Sequence, residues 1–192
     1  MKSQAVLLHG RLVKLRPMNK ATDLEPLLEW MNDPEVTQYI LTYLPIMRED
    51  EEVWFENLKT CGNNRALFAI ETHDGNFIGN ISAHRIDWRA RTASSGTIIG
   101  DKNHWGKGYG TDAKMLQLAY VFQTLNLRKI TASVLGFNER SARYLMGCGY
   151  KQIGVRKKQF FQNGKYCDEI LLEVFKQDWL PLWRKYKKKI KS

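Results

Sequence analysis

Cysteine and proline are scarce in this 192-residue sequence, with three of the first and five of the second. Cys61, Cys148 and Cys167 form no CxxC pair, and their odd number argues against a disulfide framework. A reduced, cytoplasmic protein is expected. No stretch rich in Pro, Gly or Ser separates two segments, so one domain is expected. With 43% apolar and 11% aromatic residues it can bury a sizeable core. No apolar run approaches the length that crosses a bilayer. The opening residues MKSQAVLLHGRLVKLRP carry no small-residue cleavage site, so neither a membrane nor a secretory route is expected. Acid is the remaining shortage. Between Ala113 and Cys167 only Glu139 stands against ten Lys/Arg, in a chain of net charge +10. Such a field, with Lys114 counted in it, attracts polyanionic ligands and repels polycations. The ending WRKYKKKIKS reads as a solvated, partly frayed basic tail over residues 181–192, following a domain over residues 1–180. A nucleic-acid or ribosome contact is the sharper reading of the same charges.

What is present is an ordered series of periodic segments. GRLVKLRP alternates as a strand and ends at Pro17. TDLEPLLEWMNDP places Leu24, Leu27, Leu28 and Met31 on one helical face, with Thr22 or Asp23 as the N-cap. MREDEEVWFENLKT is a second helix, acidic at its start and closing on Lys59, as the macrodipole favours. RALFAIE, NFIGNISAHRID and ASSGTIIG read as three strands, the first two joined at an Asp74-Gly75 turn. Met115, Leu118, Ala119, Phe122 and Leu125 then mark one buried face of a helix. KITASVL is a strand, and NERSARYLMGCGY a short helix capped by Asn138 and ended by Gly149. Two strands joined at Asn163-Gly164 and a last helix, KQDWLPLWRKY, close the series. Hairpins early and a strand–helix–strand–helix unit late describe an α/β domain with a mixed sheet.

The chemistry centres on NHWGKGYGTDAKM. Gly106, Gly108 and Gly110 alternate immediately before a helix, which lays bare backbone N–H groups suited to an anion. A P-loop would need GxxxxGK followed by Ser or Thr, and the spacing here fails. Gly108, Gly110 and Ala113 do fit a dinucleotide GxGxxA, but no acidic residue follows before Asn138 to hold a ribose.

Trp105-Gly106-Lys107-Gly108-Tyr109-Gly110 resembles the pyrophosphate loop Gln/Arg-x-x-Gly-x-Gly/Ala of the GCN5-related N-acetyltransferase (GNAT) superfamily, with Trp105 in place of Gln or Arg. LLEWMNDPEV, FIGNISAHRID, NERSARYLMGCGY and NGKYCDEILL are similar, in order, to the ribosomal-protein N-terminal acetyltransferases of RimJ/RimL type. The resemblance implies the GNAT acyl-CoA N-acyltransferase fold: a single domain with a central twisted, mostly antiparallel sheet splayed in the middle. It implies acetyl-CoA as cofactor, no metal, and transfer of an acetyl group to a primary amine by direct attack in a ternary complex. Thr97, Ile98 and Ile99 would supply backbone partners to the pantetheine arm. Gly106, Lys107, Gly108, Tyr109, Gly110 and Thr111 would hold the pyrophosphate, with Asn138 and Ser141 on the arm.

For proton transfer the resemblance points to Ser141, three residues after Asn138, as the group that meets the departing sulfur. Tyr144 lies one position from the Tyr that other relatives place there. The carboxylate expected as base falls on Phe160, so Asp168, His84, Asp101 or a water chain remain as routes for the proton. The helix and loop from Trp30 to Glu52 should wall the acceptor site, with Trp30, Tyr39, Tyr43 and Trp54 as aromatics of interest. The acceptor is expected to be a ribosomal-protein or peptide N-terminus, or an amine on an anionic small molecule, with no DNA partner and a monomer or homodimer. With the usual carboxylate missing, a non-catalytic CoA-binding regulator or a basic RNA- or ribosome-docking module is the alternative.

Overall fold

The computed structural model describes residues 7–58 and 62–190. Lys59, Cys61 and the last two residues of the basic ending lie outside them. The elements follow as β1 (Leu8–His9), β2 (Val13–Arg16), α1 (Lys20–Met31), α2 (Pro34–Thr37), α3 (Arg48–Asn57), β3 (Ala66–Thr72), β4 (Phe77–Asp87) and β5 (Thr92–Ile99). After them come α4 (Tyr109–Ala119), β6 (Lys129–Leu135), α5 (Glu139–Gly147), β7 (Lys151–Gln162), β8 (Lys165–Phe175) and α6 (Lys176–Ile190).

All eight strands join one sheet in the order β1-β2-β3-β4-β5-β6-β8-β7. Every neighbouring pair is antiparallel except β5 and β6, which run parallel. That parallel pairing stops early: Thr92, Ala93 and Ser94 face Lys129, Ile130 and Thr131. Beyond it β5 stays on β4 as far as Ile99, and β6 stays on β8 as far as Leu135. The sheet therefore splays at its centre, and among the described residues the β6-facing edge of Ser95–Ile99 has no strand partner. The expected mixed, mostly antiparallel, splayed sheet is what forms.

Alternation sorts the side chains of β5. Ser95 reaches α4, whereas a Cβ on Gly96 would point at His84 and Ser82 of β4, on the opposite face. The main core lies on the α4 side, where Val13, Ile70, Ile81, Leu118, Phe122, Ile130 and Trp179 are buried. A smaller cluster of Leu24, Leu27 and Phe55 joins α1 to α3.

Four details differ from the sequence reading. Helix α1 starts earlier than expected, capped by Asn19, whose side chain accepts from Ala21 N. Asp23 lies inside the helix, where its oxygens accept from Arg16 at 2.8 Å and Oδ2 also accepts from Asn19 N. Helix α4 is buried all round from Asp112 to Ala119, not along one face. It runs through the middle of the domain, and its last turn widens into a π-type turn at Tyr120–Thr124. Lys114 is fully enclosed and adds nothing to the surface field. Where a solvated tail was expected from residue 181, α6 continues through Pro181 to Ile190. Trp183 is buried there, and Tyr186 donates to Asp112 Oδ1 at 2.6 Å. Among the described residues no helix is long and apolar enough to cross a membrane.

Candidate active site

The splay opens into a cavity of about 690 Å³ that runs from the glycine turn to the gap between β5 and β6. Its mouth is the turn itself. Gly106 and Gly108 have φ of 72° and 90°, the left-handed region that other residues enter at a cost. A Cβ on Gly106 would meet nothing, so the outer side of the turn is open space. The first amide in the ladder of α4 is that of Asp112, which donates to Gly108 O at 3.0 Å. The amides of Tyr109, Gly110 and Thr111 precede it and remain free for a ligand at the positive end of the helix dipole. The start of α4 is held by Asp112, whose Oδ2 accepts from Leu12 N and Val13 N.

Trp105, where the family pattern has Gln or Arg, has a positioning role. Its indole N–H donates to Ile99 O at 2.6 Å, tying the turn to the end of β5. The Arg140 guanidinium from α5 lies 4.3 Å from the Trp105 ring and 5.1 Å from Tyr39. This stack bridges the glycine turn, α5 and the segment after α2 across the cavity mouth. Sequence reasoning missed it, because each partner is unremarkable in its own element.

Of the residues expected to hold the cofactor, Thr97, Ile98, Ile99, Gly106, Gly108, Tyr109, Gly110, Thr111, Asn138 and Ser141 all line the cavity. Lys107 belongs to the turn but is exposed and outside the lining. Asn138 caps α5, its Oδ1 accepting from Ser141 N at 3.1 Å. Tyr144 also lines the cavity; burial raises its pKa, and its hydroxyl lies near Thr97 Oγ1 without closing a well-formed hydrogen bond. Phe160, in the place of the expected carboxylate, forms part of the wall.

Asp168 is not brought to the cavity. Its Oδ2 accepts from Lys157 Nζ at 2.8 Å and its Oδ1 from Lys158 N at 2.9 Å. These bonds hold its pKa below the usual value and pin the bulge of β7 between Arg156 and Phe160. Asp101 is likewise engaged locally, with His104 Nδ1 and Asn103 N. Val36, Tyr39, Ile40 and Leu41, from the Trp30–Glu52 stretch, line the cavity. Trp30 packs on Phe77 and beneath Gly100, Trp54 packs on Phe55, and Tyr43 is exposed, so these three stand outside it.

On the face opposite α4, His84 stands behind Gly96, with Ser82 Oγ 3.2 Å from its Nδ1. Burial, and then the charges of Arg85, Arg65 and Lys114, lower its pKa, so the ring is neutral at pH 7. On the α4 face, Lys114 Nζ donates to Ser95 Oγ at 3.0 Å and Gln117 Oε1 at 2.8 Å, and Tyr150 Oη lies 3.1 Å from Ser95 Oγ. A lysine four residues from both Gly110 and Leu118, in the stripe of the buried face, is the sequence signal that could have exposed this group.

A turn of free amides, a strand edge without a partner and a cavity joining both faces of the sheet suit a long, phosphorylated acyl carrier. A family model described as an acetyltransferase (GNAT) domain matches residues 12–151. The chain belongs to the GNAT acetyltransferases. It is similar to the uncharacterized N-acetyltransferase p20 of Bacillus licheniformis, 27% identical over 90% of this chain and 97% of that one. It is also similar to the spermidine N(1)-acetyltransferase of Vibrio cholerae, 29% identical over 69% of this chain and 75% of the relative. The crystal structure of spermidine N-acetyltransferase from Vibrio cholerae in complex with CoA and spermine matches at TM-score 0.79 and 26% identity. That match covers 88% of this chain and 98% of the other. This GNAT protein is thus an acetyl-CoA-dependent N-acetyltransferase, and the free amides, unpaired strand edge and cavity described above fit the coenzyme.

Proposed function

We propose that this enzyme acetylates a primary amine carried on an uncharged or anionic molecule, such as a peptide N-terminus or an acidic amino sugar. A polyamine, the substrate named for the spermidine enzymes, does not suit the site. The observation that carries this reading is the charge of the cavity lining: Arg140 and Arg143 contribute to it, and among the described residues no Asp or Glu does. A polycation entering such a cavity would find no carboxylate to replace its water and would meet like charge. The RimJ/RimL-type resemblance belongs to the same reading, as does a cytoplasmic setting, which suits the free thiols of Cys148 and Cys167.

Acetyl-CoA supplies an acyl carbon activated by its thiol leaving group. The chain's part is to hold, orient and move protons. The amides of Tyr109, Gly110 and Thr111 would grip the pyrophosphate, and the free edge of Ser95–Ile99 would carry the pantetheine arm as an added strand. That would place the acyl carbon in the splay, with Gly96 admitting the amine from the opposite face. His84, neutral and steadied by Ser82, would take the amine proton, directly or through one water. Ser141 and Tyr144 are hydroxyls on the cofactor side; Tyr144 keeps its proton across the physiological range.

The test is transfer from acetyl-CoA to a panel holding spermidine, a peptide with a free α-amine and an acidic amino sugar. Turnover on one of the last two, with kcat/KM at least about tenfold above spermidine, a margin of 1.4 kcal/mol, is expected. Preference for spermidine would overturn the acceptor assignment. Tight CoA binding with no transfer to any amine would favour a regulator instead.

A further inference from the structure

Lys114 is a cation with no anion. Its side chain is wholly enclosed between α4, β5 and the end of α5, and its amine is met by two neutral oxygens, Ser95 Oγ and Gln117 Oε1. Among the described residues no Asp or Glu pairs with it. A charge out of water without a partner is costly, so a buried lysine lacking a carboxylate gives up its proton readily. This one is connected to the cavity, because Ser95 is both its partner and part of the lining, at the point where β5 leaves β6.

We propose that Lys114 supplies, through the Ser95 hydroxyl, the proton taken up by the sulfur that leaves in acetyl transfer. In that step the amine nitrogen bonds the acyl carbon and the carbon–sulfur bond breaks. The nitrogen gives one proton to the acceptor side. The sulfur takes one from Ser95 Oγ, and the Lys114 ammonium restores it, leaving a neutral amine. When the thiol departs, water reaching the cavity reprotonates Lys114 along the same hydroxyl. Lys114 acts here as a positioning residue and proton store, with Ser95 as the group in contact.

The titratable surroundings agree with this. Burial brings the Lys114 amine down to about 7, so it exchanges its proton near neutrality. Cys148, which faces it from the end of α5, is pushed up to about 12 by burial and holds its proton. Tyr150, beyond Ser95, and Tyr144, beside Cys148, are raised further by burial. His84, across the sheet on the opposite face of β4, is lowered by burial and carries no proton to lend at pH 7. Lys114 is therefore the one member of the group that changes charge around pH 7.

The proposal rests on the acetyltransferase reading but not on the identity of the amine, so it is tested with any amine the full-length protein accepts, for wild type, Lys114→Met, Ser95→Ala and Ser95→Thr. Because the Lys114 amine loses its proton above about 7, wild-type kcat should fall above pH 7. Lys114→Met and Ser95→Ala should each lower kcat about 100-fold, leave KM for acetyl-CoA unchanged and abolish that fall, while Ser95→Thr should keep it. An intact alkaline limb of kcat in Lys114→Met or in Ser95→Ala would sink the proposal, whereas CoA binding without transfer to any amine would overturn the acetyltransferase reading instead. Should Lys114→Met fail to fold, Ser95→Ala against Ser95→Thr decides alone, because a structural role would not separate them.

Discussion

Arg16 and Lys114 are both cations taken out of water, and the protein treats them in opposite ways. Arg16, on β2, is forked by both Asp23 oxygens at 2.8 Å and by Glu71 Oε2 at 2.5 Å. Burial opposes its charge, but Asp23 and Glu71 outweigh burial and hold its pKa above the ordinary value. Lys114 is met only by neutral oxygens, which do not outweigh the cost of burial. The first arrangement locks a charge permanently and joins β2, α1 and β3. The second leaves a proton loosely held beside a cavity. The difference teaches that burial of a charge says little about its role until its partners are known.

The largest effect should come from breaking the locked pair. Asp23→Ala removes the bidentate partner of Arg16 and leaves the buried guanidinium with Glu71 alone. It is expected to lose about 3–5 kcal/mol of stability by urea unfolding, with kcat per folded molecule unchanged. Lys114→Met should do the reverse. Below pH 7 it removes a buried unpaired charge and should be neutral or more stable by about 1–4 kcal/mol.

The pH dependence sharpens the contrast. The folded pKa of Lys114 is depressed to about 7 from an ordinary 10.5, so between those values the unfolded chain holds more protons than the folded one. Stability of the wild type should then rise with pH across that window, and Lys114→Met should flatten the rise in melting curves taken from pH 6 to 10. Cys148 and Tyr150, both raised above the window by burial, oppose the slope only at its alkaline end.

Two smaller effects separate the glycine turn from its neighbouring cap. Gly108→Val forces a β-branched residue to φ near 90° and disturbs the amides after it. About 1–2 kcal/mol of strain is expected, read as an approximately tenfold rise in KM for acetyl-CoA with kcat little changed. Asn138→Ala removes the cap bond to Ser141 N and should cost about 1 kcal/mol in thermal unfolding. Ser141→Ala keeps that cap, so a fall in its kcat without a fall in melting temperature would assign chemistry to the hydroxyl.

Most of the fold and the mouth of the site were legible in order along the chain. The alternating strands, the Asn163-Gly164 turn, the Asn138 cap and the glycine turn are all fixed by the backbone preferences of a few consecutive residues. Local periodicity therefore located them, and the family resemblance supplied the splay and the coenzyme. The same reading assigned Lys114 to the surface, left Asp168 among the proton carriers and ended the domain before Trp183, because each depends on partners that local pattern does not contain.

By itself, the sequence determined which segments become strands and helices, where a free-amide turn opens a helix, and that no carboxylate stands at position 160. Only the tertiary structure decided that Ser95 meets Lys114, 19 residues away, that Asp112 holds Leu12, 100 residues away, and that Trp105, Arg140 and Tyr39 stack across the cavity mouth. Burial, and with it the charge state of a lysine or histidine, is set by what packs around a group, and that packing brings together residues that no local rule connects.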